Sequence, residues 1–336
     1  MMVDRSPTAL AWVASHVAVE MCSWRVGRPL FSAPRADGGD GAPTVVFLHG
    51  LTASGRYWRR LAASLGDDGP RLHLIDVRGF GRSPWPRVAY TTDNHLAALD
   101  AWRVDAGLAG APIIVVGHSL GALLALAAAA RDPTVAGAIL IGLPVYPDAT
   151  EARHRLARLS PLNYLTLTAR PLGWAACTAM CCLRPLCHLA APLVFPRLPP
   201  EVARDGALHT WRSLSGTLDR CILDAAVDRL PPPVASPLLL VHGDVDDTAP
   251  IDPVRALATR LPLARLVDVP GAGHDLPLSH PDTLAGLIRA FVLDVQQAGS
   301  EHPRPVVGDR RAARRSETTT AASRRRPVDY APSSSP

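Results

Sequence analysis

The sequence predicts an α/β protein, a mostly parallel central sheet flanked by helices, with a helical lid inserted into it. Three observations carry that prediction. Short apolar runs alternate with helix-forming stretches, the pattern of parallel strands joined by crossover helices. The alternation stops across residues 146–233, where strand runs vanish and Arg, Leu, Pro and Cys become frequent. The residues able to do chemistry follow the strand runs directly, where open α/β sheets gather their ligands.

The expected strands are Thr44–Leu48, Arg71–Ile75, 113–116, 138–141, 238–241 and Ala264–Val269, most of them apolar and several β-branched, as strands buried on both faces are. Between them, helices are expected at Arg59–Leu65, 94–106, Leu120–Arg131, 253–260 and 282–296. The chain of 336 residues then divides into an N-terminal segment, 1–42, and a core in two parts, 43–145 and 234–297. The cap occupies 146–233, and an Arg-rich tail, 298–336, is polar enough to be expected disordered.

Composition excludes some functions. With 48% hydrophobic residues the chain is globular over most of its length. Its net charge of +5 suggests an anionic partner, but residues 301–336 supply +4 of it. The remaining 300 residues carry only +1, so no nucleic-acid-binding core is implied. The chain has no Lys, so all 35 of its Lys+Arg are Arg; this reads as codon bias and carries no mechanism. The six cysteines, in a long chain without a clear secretion signal, are expected to be reduced thiols in a cytoplasmic protein.

Three stretches imitate membrane segments. Residues 8–22 are too short to span, include His16 and Glu20, and lack a signal-peptide n-region, so a packed N-terminal helix is expected. Residues 111–130 are long enough, but a β-branched run, Gly117, Gly121 and an Ala/Leu-rich stretch read as strand, turn and helix. Residues 172–195 are broken by Arg184, Pro185 and His188, and read as one or two short helices of the cap. No integral span is expected, which leaves weak peripheral membrane contact open.

The strongest chemical signal is Gly117-His118-Ser119-Leu120-Gly121, a G-x-S-x-G between strand and helix. Small residues two positions either side allow a tight reversal that pushes the Ser119 hydroxyl out of the sheet. The Leu120 N–H, at the helix N-terminus, then points into the site. In this context the chain resembles a serine hydrolase of the α/β-hydrolase fold superfamily, esterase- or lipase-like with a helical cap, over residues 43–292.

That resemblance gives the other motifs their meaning. His49-Gly50-Leu51 resembles the family's His-Gly loop, which implies that the Leu51 and Leu120 N–H groups form the oxyanion hole. Asp76-Val77-Arg78-Gly79-Phe80-Gly81-Arg82-Ser83 matches a D-x-R-G-x-G-x-S loop of the superfamily and is assigned structural support, Asp76 with Arg78 fixing it electrostatically. In the acid loop, the spacing G-x-x-D-x-x-x-P from Gly243 to Pro250 selects Asp246, with Asp244 and Asp247 as near competitors. Gly271-Ala272-Gly273-His274 resembles the histidine loop, and the chain order Ser119, Asp246, His274 is the one this fold uses. His118, His242 and His280 are weaker histidine candidates.

The implied activity is hydrolysis of a hydrophobic carboxylic ester through a Ser-His-Asp triad and an acyl-enzyme, without metal or cofactor. Acyl transfer or C–C bond hydrolysis would use the same triad, and a non-enzymatic ligand-binding protein would share the fold. Serine at position 119 argues against haloalkane dehalogenases and epoxide hydrolases, relatives that place Asp there. The cap's Trp174, Leu183, Leu186 and Phe195 suggest a greasy cover for the ester. Cys177, Cys181, Cys182 and Cys187 match no paired C-x-x-C zinc pattern and are expected to pack as small hydrophobes. Oligomeric state is not readable from this sequence.

Overall fold

The computed structural model describes residues 29–36, 43–66, 69–225 and 234–301. The expected N-terminal helix at 8–22, the triple proline at 231–233 and most of the Arg-rich tail lie outside them. The chain divides into two units, 1–296 and 297–336; the sheet, the insert and the site belong to the first.

Among the described residues seven strands form one sheet: β1 (Ser32–Ala36), β2 (Thr44–Leu48), β3 (Arg71–Ile75), β4 (Ile113–His118), β5 (Val135–Ile141), β6 (Leu238–Gly243) and β7 (Ala264–Val269). Their order is β1-β3-β2-β4-β5-β6-β7, with β1 antiparallel to β3 and every other pair parallel. β2, β4 and β6 are buried at every residue. Both faces are therefore covered, and alternate residues feed two separate cores.

On one face Val46, Leu48, Val115, Leu140 and Leu240 pack under α2 (Thr92–Asp105), α3 (Leu120–Arg131) and α10 (Ile251–Arg260). On the other, Val45, Phe47, Ile114, Val116, Ile139 and Leu239 pack under α1 (Arg59–Leu65), α11 (Leu276–Ser279) and α12 (Pro281–Glu301). Chain order reverses between β2 and β4, so the crevice at their C-terminal ends is the sheet's switch point. The His49 and Ser119 motifs both open there.

Between β5 and β6 the described residues make six helices: α4 (Ala149–Arg158), α5 (Pro161–Leu167), α6 (Arg170–Cys182), α7 (Arg184–Val194), α8 (Pro200–Asp205) and α9 (Trp211–Thr217). A π-turn, Leu218–Ile222, closes the series. A proline stands in the first turn of α5, α6, α7 and α8, where its missing N–H costs nothing and where it cannot extend the preceding helix. The insert is tied to the core by the Gly81 N–H, which donates to the Leu208 carbonyl at 2.9 Å, and by Arg56 against Asp205.

Trp174, Leu183, Leu186 and Phe195 in this insert are 54, 52, 63 and 48% exposed, so none of them is packed into the interior of the protein. Other residues of the same helices, such as Cys177 and Ala191, are buried.

The turn from β4 into α3 shows why two glycines flank the serine. A Cβ on Gly121 would overlap the Leu48 carbonyl, and one on Gly117 would overlap the Gly121 carbonyl. Backbone meets backbone there, so nothing can swing aside. Gly121→Ala is expected to destabilise the protein by about 3 kcal/mol, the upper range for overpacking. A loss of unfolding free energy in urea of less than a quarter of that would contradict the packing described.

Candidate active site

Ser119 has φ 53° and ψ −117°, a left-handed backbone that a side-chain-bearing residue rarely adopts. It is held there by its N–H, which donates to the Ile141 carbonyl at 2.9 Å, and by its own carbonyl, which accepts from Ala122 at 2.9 Å. Although Ser119 stands at the N-cap of α3, its hydroxyl makes no cap bond. A serine there normally spends its hydroxyl on the helix N–H groups; the strained turn leaves this one for other chemistry.

Leu120 is the first residue of α3, so its N–H has no partner within the helix. The His-Gly loop lies against this turn, since a Cβ on Gly50 would sit 3.3 Å from the Ser119 Cβ. Leu51 follows Gly50 and leads into Thr52, whose φ of 56° reverses the loop.

His49 is buried and fully bonded. Its Nδ1–H donates to the Gly50 carbonyl at 2.7 Å and its Nε2 accepts the Val77 N–H at 2.9 Å. It therefore staples the His-Gly loop to the Asp76 loop, and burial holds its pKa below the ordinary value.

The Asp76 loop corrects one expectation. The cation on Asp76 is Arg82, through the Nε–H at 3.0 Å and the backbone N–H at 2.8 Å, while Arg78 donates to the Asn94 carbonyl at 3.1 Å. Gly79 and Gly81, at φ 86° and 56°, turn the chain so that Arg82 returns to the carboxylate six residues away. The other Asp76 oxygen accepts the Gly55 N–H at 2.7 Å, so the fully buried Asp76 joins the Gly55 turn to this loop.

The three acids after β6 have different partners. Asp246 Oδ2 accepts His274 Nδ1–H at 2.8 Å, and Oδ1 accepts the N–H groups of Thr248 and Ala249 at 2.9 and 2.8 Å. Asp244 instead accepts the Gly271 N–H at 2.7 Å, bracing the turn that carries His274. Asp247 offers its carbonyl to Arg155 at 3.3 Å. Burial alone would push the Asp246 carboxyl up, but the bond and charge of His274 and the Ala249 N–H outweigh it and hold it below the usual range. Beside it, the buried His242 donates from Nε2 to the Ala249 carbonyl at 2.8 Å.

His274 stands next to the serine turn. A Cβ on Gly142, which follows β5, would lie 3.2 Å from His274 Nδ1 and 3.5 Å from His118 Nε2. The His118 Nε2–H donates to the His274 carbonyl at 2.9 Å, and its ring stacks on Tyr57 with centroids 5.0 Å apart. The Tyr57 hydroxyl donates to Asp275 at 3.1 Å, a second tie to the histidine loop. Tyr57 and Gly142 carry no motif signal, because their importance is purely spatial. His280 is half-buried, and its Nδ1 meets the hydroxyl of the neighbouring Ser279 at 2.8 Å.

The family model described as the alpha/beta hydrolase family matches residues 45–287, a stretch running from β2 into α12. The chain belongs to the alpha/beta hydrolase family. Its relatives include lipase LipV of Mycobacterium tuberculosis, 31% identical across 75% of this chain and 94% of that protein. Probable lysophospholipase BODYGUARD 4 of Arabidopsis thaliana is 25% identical across 70% of this chain, which spans only 60% of that protein's length. A thermophilic esterase from Thermogutta terrifontis shares the fold, with TM-score 0.57 and 22% identity over 79% of this chain and 93% of its own.

The protein buries several histidines that are neutral at physiological pH. Burial pushes His95 and His118 down to about 3 and His209 to about 4, and lowers His49 and His242 as well. The unfolded chain takes up these protons below about pH 6.5, whereas the folded chain resists until pH 3–4. Stability is therefore full above pH 6.5 and lost on acidification. The melting temperature is expected to fall by more than about 5 °C between pH 7 and 4.5. A flat profile in that window would refute neutral burial of these rings.

Proposed function

We propose that this chain is a serine hydrolase that cleaves carboxylic esters of a hydrophobic substrate through Ser119, His274 and Asp246. The observation that carries the reading is the strained Ser119, its hydroxyl unused by α3, next to a His274–Asp246 bond of 2.8 Å. The ester class and its apolar character are supported by relatives named as a lipase and a probable lysophospholipase.

In this mechanism His274 Nε2 takes the Ser119 proton as Oγ attacks the ester carbonyl, and Asp246 stabilises the imidazolium through Nδ1–H. The N–H groups of Leu51 and Leu120 receive the oxyanion. His274 then protonates the departing alkoxide, and a water activated by the same ring hydrolyses the acyl-enzyme. Asp76, Arg82, His49 and His118 hold the loops; the helical insert forms the cap beside them. Neither metal nor cofactor has a step in this chemistry.

The test is labelling of the full chain with a serine-directed fluorophosphonate, the modified peptide being located by mass spectrometry, with a p-nitrophenyl ester chain-length panel. Modification confined to Ser119 and faster turnover of medium or long chains are expected. Label elsewhere would remove the nucleophile assignment, and preference for acetate would remove the hydrophobic substrate. Product transfer to added alcohols in preference to water would favour the acyltransferase reading.

A further inference from the structure

The outer surface of the insert departs from the rest of the molecule. Of the thirteen exposed large hydrophobic residues among those described, nine fall between Tyr164 and Phe195. On α7, Leu186, Leu189 and Leu193 are 63, 65 and 83% exposed and recur at i, i+3 and i+7, which places them on one face of the helix. Leu172 and Trp174 on α6 are 62 and 54% exposed. A soluble surface rarely concentrates apolar side chains in this way without a partner.

The charge pattern of the same segment narrows the partner. Residues 152–200 contain six Arg and no Asp or Glu. Arg155 is paired with Glu151 and Arg170 with Asp219. Among the described residues Arg158 and Arg197 are exposed and stand in no ion pair, and Arg197 follows the exposed Phe195 by two positions. An apolar face flanked by unneutralised cations complements a surface that is greasy inside and anionic outside.

Geometry decides between spanning and lying on such a surface. Together α6 and α7 are apolar enough for a membrane, but they meet at 106°, and no single helix among the described residues is long and apolar enough to cross one. The bend is fastened to the core. Arg184, at its corner, is buried, donates to the His209 carbonyl at 3.2 Å and lies 4.5 Å over the Trp85 ring. The inner side of the pair is thus committed to the protein, and only the outer side is free.

We propose that the outer face of α6 and α7 is a docking surface for an anionic phospholipid bilayer, into which Leu186, Leu189, Leu193 and Trp174 insert while Arg197 meets the headgroups. This does not depend on the assignment of Ser119, because none of these residues belongs to that site.

The test is co-sedimentation of the full chain with vesicles of phosphatidylcholine containing 30% phosphatidylglycerol, and with phosphatidylcholine alone. Wild type is expected to bind the anionic vesicles and to release with rising salt. Leu186→Ser/Leu189→Ser/Leu193→Ser, an exposed triple change, is expected to bind at least about ten-fold more weakly with an unaltered melting temperature. Arg197→Glu is expected to weaken binding to anionic vesicles by about five-fold or more, and to change nothing on neutral ones. Equal binding of wild type and triple variant would overturn the proposal and move the contact elsewhere, for example to residues 8–22. Absence of vesicle binding by wild type would overturn it too. So would a wild-type dimer that the triple variant dissolves without any vesicle binding, which would assign the face to a second copy of the chain.

Discussion

Ser119→Ala is expected to reduce kcat/KM for a p-nitrophenyl ester by on the order of 10⁴–10⁶, leaving the melting temperature nearly unchanged. Alanine keeps the Cβ and bears the same backbone penalty at φ 53° as serine, so the turn has no new reason to relax. The bonds that hold the turn, Ser119 N–H to Ile141 and the Ser119 carbonyl to Ala122, are made by the main chain and survive. Only the hydroxyl is lost, and it caps nothing. Substrate binding should persist, so the loss should appear in kcat and not in KM. Residual activity above a tenth of wild type, with esterase contaminants excluded by a matched mock purification, would end the proposal that Ser119 is the nucleophile.

What was legible in the sequence follows from which forces leave a linear trace. Burial on both faces demands continuous apolar runs, so Thr44–Leu48 and the runs inside β4 and β6 could be read directly. β1 escaped because Ser32–Ala36 is an edge strand containing Pro34, ordered by antiparallel backbone pairing to β3 and not by a greasy side-chain pattern. The glycines at 117 and 121 were readable because close backbone approach admits only one residue type.

Side-chain pairing leaves a weaker trace. Arg78 is nearer to Asp76 in sequence than Arg82 is, yet the reversal at Gly79 and Gly81 delivers Arg82 to the carboxylate. Hydrophobicity alone likewise cannot say which way a helix faces. Trp174 and Leu186 are exposed, while Cys177, Arg184 and Ala191 take the buried positions of α6 and α7. Tyr57 was invisible, since its stacking on His118 and its bond to Asp275, 218 residues away, depend on the finished fold.

The acid is where motif spacing and geometry can be set against each other most sharply. Asp246→Asn is expected to lower kcat by on the order of 10⁴, and Asp244→Asn by less than about ten-fold. In the first variant an amide must face both His274 Nδ1 and the N–H groups of Thr248 and Ala249. Whichever way it turns, an NH₂ group meets a donor, or His274 takes the tautomer that cannot accept the serine proton. The negative charge that stabilises the imidazolium is lost as well. In the second variant the asparagine oxygen still accepts the Gly271 N–H, so the histidine loop keeps its brace. The two variants differ by the same O to NH₂ exchange and lie two residues apart, which removes bulk, position and net charge as explanations. A larger loss at Asp244 would transfer the role to that residue. Equal small losses would mean that His274 works without a carboxylate partner, and the His274–Asp246 bond would then be structural.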